Sequence, residues 1–397
     1  MAKLHAIEVG LDLLFTPPYN EQLKSKKVGL ITNHTAINKK FETSMQLFLK
    51  EQKQNEFELI ALFAPEHCIY GDTHAGIHVA SIKTEEGLPV HSLHGQTRRP
   101  TQQMLKGINL LVFDIQDIGS RSYTFATTLY YVMEEAAKQK IPVIVLDRPN
   151  PINGIIVDGP MLEEEYRSFI GYLNIPYCHG MTIGELARFF NEEYKIGCNL
   201  SVVPMRGWKR WMNFEATGLH WIPTSPNIPE ATSPCFYPIT GLIGDLRCVS
   251  IGIGYTLPFK VLGAPWINPK KFADALNARK LPGVHFYPFR FQPTSSSFAN
   301  KPCKGVLIKI TNPQAFLPVI TTYAILSTLK EQYPKEMAKA IKEIKAKPEL
   351  FYKACGTRQI IDLLEKEKQP FSKLTTIHSQ ERQKFLETRK AYLNPDY

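Results

Sequence analysis

Side chains able to do acid–base or ligand chemistry gather at the ends of apolar runs in the first 150 residues. Leu110–Phe113 leads into Asp114, Gln116, Asp117 and Arg121, and Val143–Leu146 into Asp147, Arg148 and Asn150. Lys27–Thr32 leads into Asn33 and His34, and Phe57–Phe63 leads through Ala64 and Pro65 into Glu66 and His67. Carboxylates in this company suit two chemistries. In glycoside cleavage a protonated carboxylic acid donates to the leaving oxygen while a second group handles the anomeric carbon. In metal-assisted hydrolysis Asp114, Asp117, Asp147, His34 and His67 are the candidate ligands. Glu66 lies in a largely apolar frame, LFAPEHCIY, so partial burial is expected to raise its pKa and keep it a usable acid near neutrality. Any one of these groups has a plainer role, since Asp and Asn after a strand cap the next helix and Glu66 can pair with Arg121 or Arg148. Four such clusters at four strand ends point to one crevice.

The elements that must position them follow from periodicity. Leu110–Asn153 reads strand, helix, strand, the helix having Leu129, Val132, Met133 and Ala136 on one face. That is a βαβ unit and implies a parallel sheet, whose ligands bind beyond the carboxyl ends of the strands. Lys40–Lys50 is expected as a helix with Phe41, Met45, Phe48 and Leu49 facing in. Thr182–Tyr194 carries a capping box, Thr182 with Glu185, and Leu200–Pro204 reads as a further strand. Ile69–Pro100, rich in Gly and His, reads as an irregular excursion, and such loops cover or bind. Trp221–Pro238 holds five prolines and predicts an irregular boundary segment, dividing the chain into domains 1–228 and 229–397. Beyond it, short strands (Val284–Phe291, Gly305–Ile310) alternate with helices (Pro269–Arg279, Gln314–Glu331), and three helical stretches close the chain.

Composition narrows the class. A 44% hydrophobic and 21% charged chain of 397 residues is globular. No apolar run approaches the ~20 residues of a membrane span. The amino terminus lacks the pattern of a signal peptide, which predicts a cytoplasmic protein. Seven scattered cysteines without a CxxC pair predict reduced thiols and no zinc site. Of the net charge of +10, most comes from 231–330, with eleven Lys or Arg against two acids, a basic face suited to an anionic substrate. No nucleic-acid motif, no glycine fingerprint for a dinucleotide, no G-x-S-x-G elbow and no H-E-x-x-H pattern is present.

The motifs GLITNHT (29–35), LFAPEHCIYGD (62–72), GLPVHSLHG (87–95), DIQDIGSRSYTF (114–125), LDRPNP (146–151), SPNIP (225–229), MRGWKR (205–210) and LPFKVLGAPW (257–266) cover nearly the whole chain. In this set the sequence resembles the NamZ-type exo-β-N-acetylmuramidases, glycoside hydrolases that release N-acetylmuramic acid from the non-reducing ends of peptidoglycan fragments. The resemblance implies a Rossmann-like α/β domain with a parallel sheet carrying the cleft, and a smaller C-terminal α/β domain closing over it. It places the catalytic glutamate at Glu66 and carries over His67, Asp117, Arg121, Tyr123 and Asn227 as neighbours. Two departures stand out. Cys68 replaces the glycine after the histidine, and LIGDLRCVSIGIGYT (242–256) has Gly244 where Glu is common and Ile253 where Arg is common. Asp245 is at hand to substitute for the former.

The resulting expectation is a glycosidase acting on peptidoglycan-derived saccharides or muropeptides, with neither metal nor cofactor, and no nucleic-acid or membrane partner. Glu66 is the expected general acid and Asp117 or Asp114 its partner. Arg121 and Arg148 are expected to hold substrate carboxylates, with Asn33, His34, His67, Gln116, Tyr123, Asp147, Asn150 and Asn227 lining the site. The alternatives are a metal-dependent hydrolase on the same strand ends and a non-catalytic muropeptide-binding protein.

Overall fold

Apolar runs that are buried on both faces make central parallel strands, and the runs here behave so. The computed structural model describes residues 7–73, 76–77 and 80–397. His74, Ala75, His78 and Val79, part of the Gly- and His-rich excursion, lie outside the described residues. Among the described residues seven strands form one sheet: β1 (Lys27–Thr32), β2 (Glu58–Ala64), β3 (Ile82–Lys83), β4 (Pro89–Ser92), β5 (Leu110–Asp114), β6 (Val143–Leu146) and β7 (Leu200–Val203). Their order is β3-β4-β2-β1-β5-β6-β7, parallel except that β3 runs against β4. The chain steps from β1 to β2 on one side and to β5 on the other. The strand ends at Thr32, Ala64 and Asp114 therefore flank the point where the winding reverses, and a crevice opens there.

Three expectations are adjusted. The helix expected from Lys40 begins at Ser44, because the Asn38 carboxamide accepts from the Lys40 and Glu42 N–H groups and holds a turn there. Phe41 consequently points outward onto His220, ring centroids 4.2 Å apart, and does not face the core. The excursion after Ile69 contains β3 and β4, which extend the sheet. The proline-rich segment ends in a helix, Ser233–Gly244, because Pro234 falls in its first turn, where a missing N–H costs nothing.

A second, antiparallel sheet follows, β8 (Val261–Ala264), β9 (Val284–Phe291) and β10 (Cys303–Ile310), in the order β8-β10-β9. Helices Ser233–Gly244, Pro269–Ala278 and Pro318–Gln332 pack with it, and one apolar cluster runs from Phe113 and Val145 to Leu262 and Phe286. The carboxyl end returns to the first sheet. Tyr397 donates from its hydroxyl to Asp147, 2.6 Å, and the Asn394 N–H to Glu185. Asp158 accepts from Val319 and Ile320 at the start of helix Pro318–Gln332. No helix of the described residues is long and apolar enough to cross a membrane.

Candidate active site

Pro65 ends β2, and the next three residues turn sharply. His67 and Cys68 both adopt left-handed backbone, φ 72° and 71°, and the Cys68 N–H donates to the Pro65 carbonyl. Glycine enters this region freely and other residues at a cost. The turn aims Glu66 inward, where it is 8% exposed. Its Oε2 accepts from the Thr124 hydroxyl at 2.6 Å and its Oε1 from the Gly76 N–H at 2.8 Å. His94 Nε2 stands 3.6 Å from Oε1. Burial pushes this carboxyl up. The Thr124 hydroxyl, the charge of His94, the Gly76 N–H and His67 outweigh it and hold Glu66 below the ordinary carboxylate range. The expected rise is thus reversed, since the apolar frame is lined with donors the local sequence does not reveal.

The remaining strand-end groups divide into engaged and unengaged. Asp114 is fully buried and takes both Nε and Nη2 of Arg148, with the Ser44 hydroxyl as a third donor. Arg148 also donates to the Ile37 carbonyl. Asp147 accepts from Arg148 N–H, Gly184 N–H, the Thr182 hydroxyl and Tyr397, and burial together with nearby Glu185 carries it up to about 6. Asn150 clamps Met181 and Ile152, and Gln116 donates to the Asp117 and Pro149 carbonyls. Arg121 directs its guanidinium to the Pro160, Ile175 and Cys355 carbonyls, tying the first sheet to helix Glu349–Cys355. These side chains build the frame, and the arginines have no fork left for a substrate carboxylate. His34 Nε2 lies 2.7 Å from the Pro223 carbonyl and His67 Nδ1 2.7 Å from that of Thr73. Among the described residues no three His, Cys, Asp or Glu side chains group as a metal site.

Asp117 differs. Its Oδ2 accepts from the Gly119 N–H, its Oδ1 is buried without a partner, and burial pushes it up to about 7. Asn33 accepts twice from Thr35 and leaves its buried Nδ2 unpartnered.

A hollow of about 620 Å³ has Ser122, two residues before the Thr124 that holds Glu66, in its wall, while Glu66 itself does not line it. Ser122, Tyr177 and Asn227 line it from one side, and Tyr237, Asp245 and Arg247 from the other. Ser122 Oγ is 2.7 Å from the Tyr177 hydroxyl and 3.1 Å from that of Tyr237. Tyr237, pushed up to about 12 by burial, feels the charges of both Asp245 and Glu66, and so lies between them electrostatically. Asp245 is half-buried, and burial raises it to about 6 against the pull of Arg247. Tyr123 donates to the Thr224 hydroxyl, 2.9 Å, with its ring centroid 6.4 Å from that of His67. Gly244 is close-set: a Cβ there would meet Ile251 Cδ1 at 2.6 Å, so no longer side chain fits without displacing it. The residues missed by sequence reasoning are Ser122, Thr124, His94, Tyr177, Tyr237 and Arg247. The first two lie inside a motif already noted, whereas Tyr237 lies in a proline-rich stretch with no local signal.

Residues 28–232 match the family model for the N-terminal part of the exo-β-N-acetylmuramidase NamZ, and residues 235–394 the model for its C-terminal part. The chain belongs to the NamZ family. It is similar to the peptidoglycan β-N-acetylmuramidase NamZ of Bacillus subtilis, 44% identical over 84% of this chain and 80% of that protein. Among solved structures it resembles two DUF1343-family proteins of Bacteroides fragilis. One is 36% identical with a TM-score of 0.89 over 98% of each chain. The other is 27% identical with a TM-score of 0.71, covering 98% of this chain and 99% of that one. Membership in the NamZ family agrees with the mixed α/β fold.

Proposed function

We propose that this chain is an exo-acting glycoside hydrolase that releases N-acetylmuramic acid from the non-reducing ends of peptidoglycan fragments. The observation that carries the reading is Glu66: in a NamZ-family chain, a carboxylate aimed by a strained turn and held ionised by several donors, one of them Thr124, two residues from the Ser122 that lines a hollow containing a second carboxyl. Glu66, as the anion, faces the positive charge that develops at the anomeric carbon. Asp245, still carrying its proton below about pH 6, donates to the leaving oxygen. Asp117 is a positioning residue that holds the Gly119 turn from which Ser122 and Thr124 project. Tyr237, half-buried in the wall of the hollow, offers the sugar a ring to pack against. The chain is read as two domains, 1–228 and 229–397, with the hollow between them. Seven cysteines, none paired, support action in the reducing cytoplasm.

The test is incubation with 4-nitrophenyl β-N-acetylmuramide and the matching glucosaminide. Nitrophenol should appear from the muramide with the wild type and not with Glu66→Gln. A wild type inert on both substrates, or equal turnover by the two proteins, would overturn the assignment.

A further inference from the structure

Two hollows share one wall. The hollow of about 620 Å³ that holds Ser122 and Tyr237 in its wall and a neighbouring one of about 680 Å³ are both lined by Asp245 and Arg247. These residues sit in the turn after helix Ser233–Gly244, where the Arg247 N–H donates to the Gly244 carbonyl. Arg247 closes that turn with φ 56°, a left-handed conformation an arginine adopts only when its surroundings impose it. Its side chain is exposed. The other arginines of the crevice are committed elsewhere, Arg121 to three carbonyls and Arg148 to Asp114. Of the described residues lining the first hollow, Arg247 is the one base, set among the polar side chains of Asn227, Ser296 and Ser297 as well as the apolar Ile251, Ile253 and Phe259.

N-acetylmuramic acid differs from N-acetylglucosamine by a lactyl ether at C3 that ends in a carboxylate. A pocket that separates the two sugars needs a cation where that acid falls. We propose that Arg247 is the specificity-determining residue of this pocket, its guanidinium pairing with the lactyl carboxylate. The inference rests on the muramidase reading of the site. Arg suits the task because its planar fork meets a carboxylate through two parallel N–H donors.

The test separates recognition from cleavage. Binding of free N-acetylmuramic acid and of N-acetylglucosamine is measured by calorimetry on the wild type, Arg247→Ala and Arg247→Lys, and KM is measured on 4-nitrophenyl β-N-acetylmuramide and its lactyl methylamide. A charge-assisted pair is worth about 1.5–3 kcal/mol, so Arg247→Ala should bind N-acetylmuramic acid roughly 10- to 100-fold more weakly. KM for the free-acid muramide should rise by a similar factor, with Arg247→Lys between the two, while the methylamide and N-acetylglucosamine distinguish the three proteins by less than about threefold. Equal binding of N-acetylmuramic acid by wild type and Arg247→Ala would overturn the proposal whatever the activity. An equal loss on the methylamide would do the same. A wild type that binds the acid through Arg247 yet cleaves neither nitrophenyl substrate would uphold this inference and sink the hydrolase reading instead.

Discussion

Asp114 closes β5 and Glu66 follows β2, the two strands that flank β1, yet their carboxylates keep different company. Asp114 meets a guanidinium across both oxygens and a serine hydroxyl besides. Asp147, Asn150 and Gln116 on the same side are likewise occupied by backbone and side-chain donors. On the Glu66 side the polar groups are under-used. Asp117 Oδ1 and Asn33 Nδ2 have no partner, and Asp245 lines open space. Glu66 itself is held at both oxygens, but by a hydroxyl and a backbone N–H with histidines nearby, where Asp114 is neutralised by a guanidinium, so the difference lies in the kind of partner and in the unfilled groups around it. A buried polar atom without a partner costs about 1–3 kcal/mol, and a fold retains that cost where a ligand or a mechanism uses it.

The contrast is sharpened most by paired substitutions. Glu66→Gln should lower kcat by about 10²- to 10⁴-fold, the range of a lost catalytic carboxyl, while the urea midpoint stays near that of the wild type. Asp114→Asn should do the opposite. It strands the Arg148 charge in the core and should cost about 3–5 kcal/mol of stability, with turnover per folded molecule largely retained. If Asp114→Asn abolished turnover at wild-type stability, the division into scaffold and chemistry would fail.

The pH profile tests which carboxyl carries the proton. Glu66 is held below its ordinary range, so it stays ionised until the medium is well into the acid, and activity on the acid side is lost only there. Asp245 is raised to about 6 and loses its proton above that value. The kcat/KM profile on the nitrophenyl muramide should therefore fall on its alkaline side near pH 6. Asp245→Asn should keep measurable turnover, because nitrophenolate leaves with little protonation, and should lose the alkaline limb. An unchanged limb in that variant would move the acid role to Asp117.

Much of the frame was legible in the sequence. The apolar runs from Lys27 to Leu146 paired as a parallel sheet, and the Thr182 capping box formed as its spacing implied, with Glu185 reaching back to the Thr182 N–H at 3.0 Å. What stayed hidden is which members of each cluster are free. Arg148 lies 34 positions from Asp114, and the Thr124 hydroxyl lies 58 positions from Glu66. Such pairings are tertiary, and no local periodicity encodes them. Tyr237 escaped for a related reason, since five prolines suggested an irregular segment while one of them merely began a helix.

Asp117 offers a smaller test of leftover capacity. Its folded-state pKa of about 7 lies above the ordinary 3.8, so the folded protein holds this proton more tightly than the unfolded chain. Stability therefore falls as pH rises between those values, and the penalty is complete above pH 7. Asp117→Asn removes the penalty and gives Gly119 the same acceptor, though its amide N–H groups inherit an apolar site. The variant's stability relative to wild type should rise from pH 4 to pH 8 by up to about 4 kcal/mol in urea unfolding, the pH-independent cost of the buried amide only offsetting the whole curve. A stabilised but slower enzyme would mark Asp117 as a group kept for function at the expense of the fold.

The smallest effect belongs to the turn that aims Glu66. Cys68 occupies left-handed backbone, costing roughly 1 kcal/mol, and its buried side chain returns a similar amount through contact with the core. Cys68→Gly removes both and should stay within about 1 kcal/mol of wild type. Cys68→Val adds β-branching where left-handed backbone tolerates it least and should lose about 1–2 kcal/mol. Because the Cys68 N–H closes the turn on Pro65, the valine should also tilt Glu66 and lower kcat several-fold, whereas regular strand geometry leaves Asp114 no such lever. A valine variant that lost stability with its turnover intact would show that the turn and the carboxylate are set independently, and the strain at His67 and Cys68 would then need a cause other than aim.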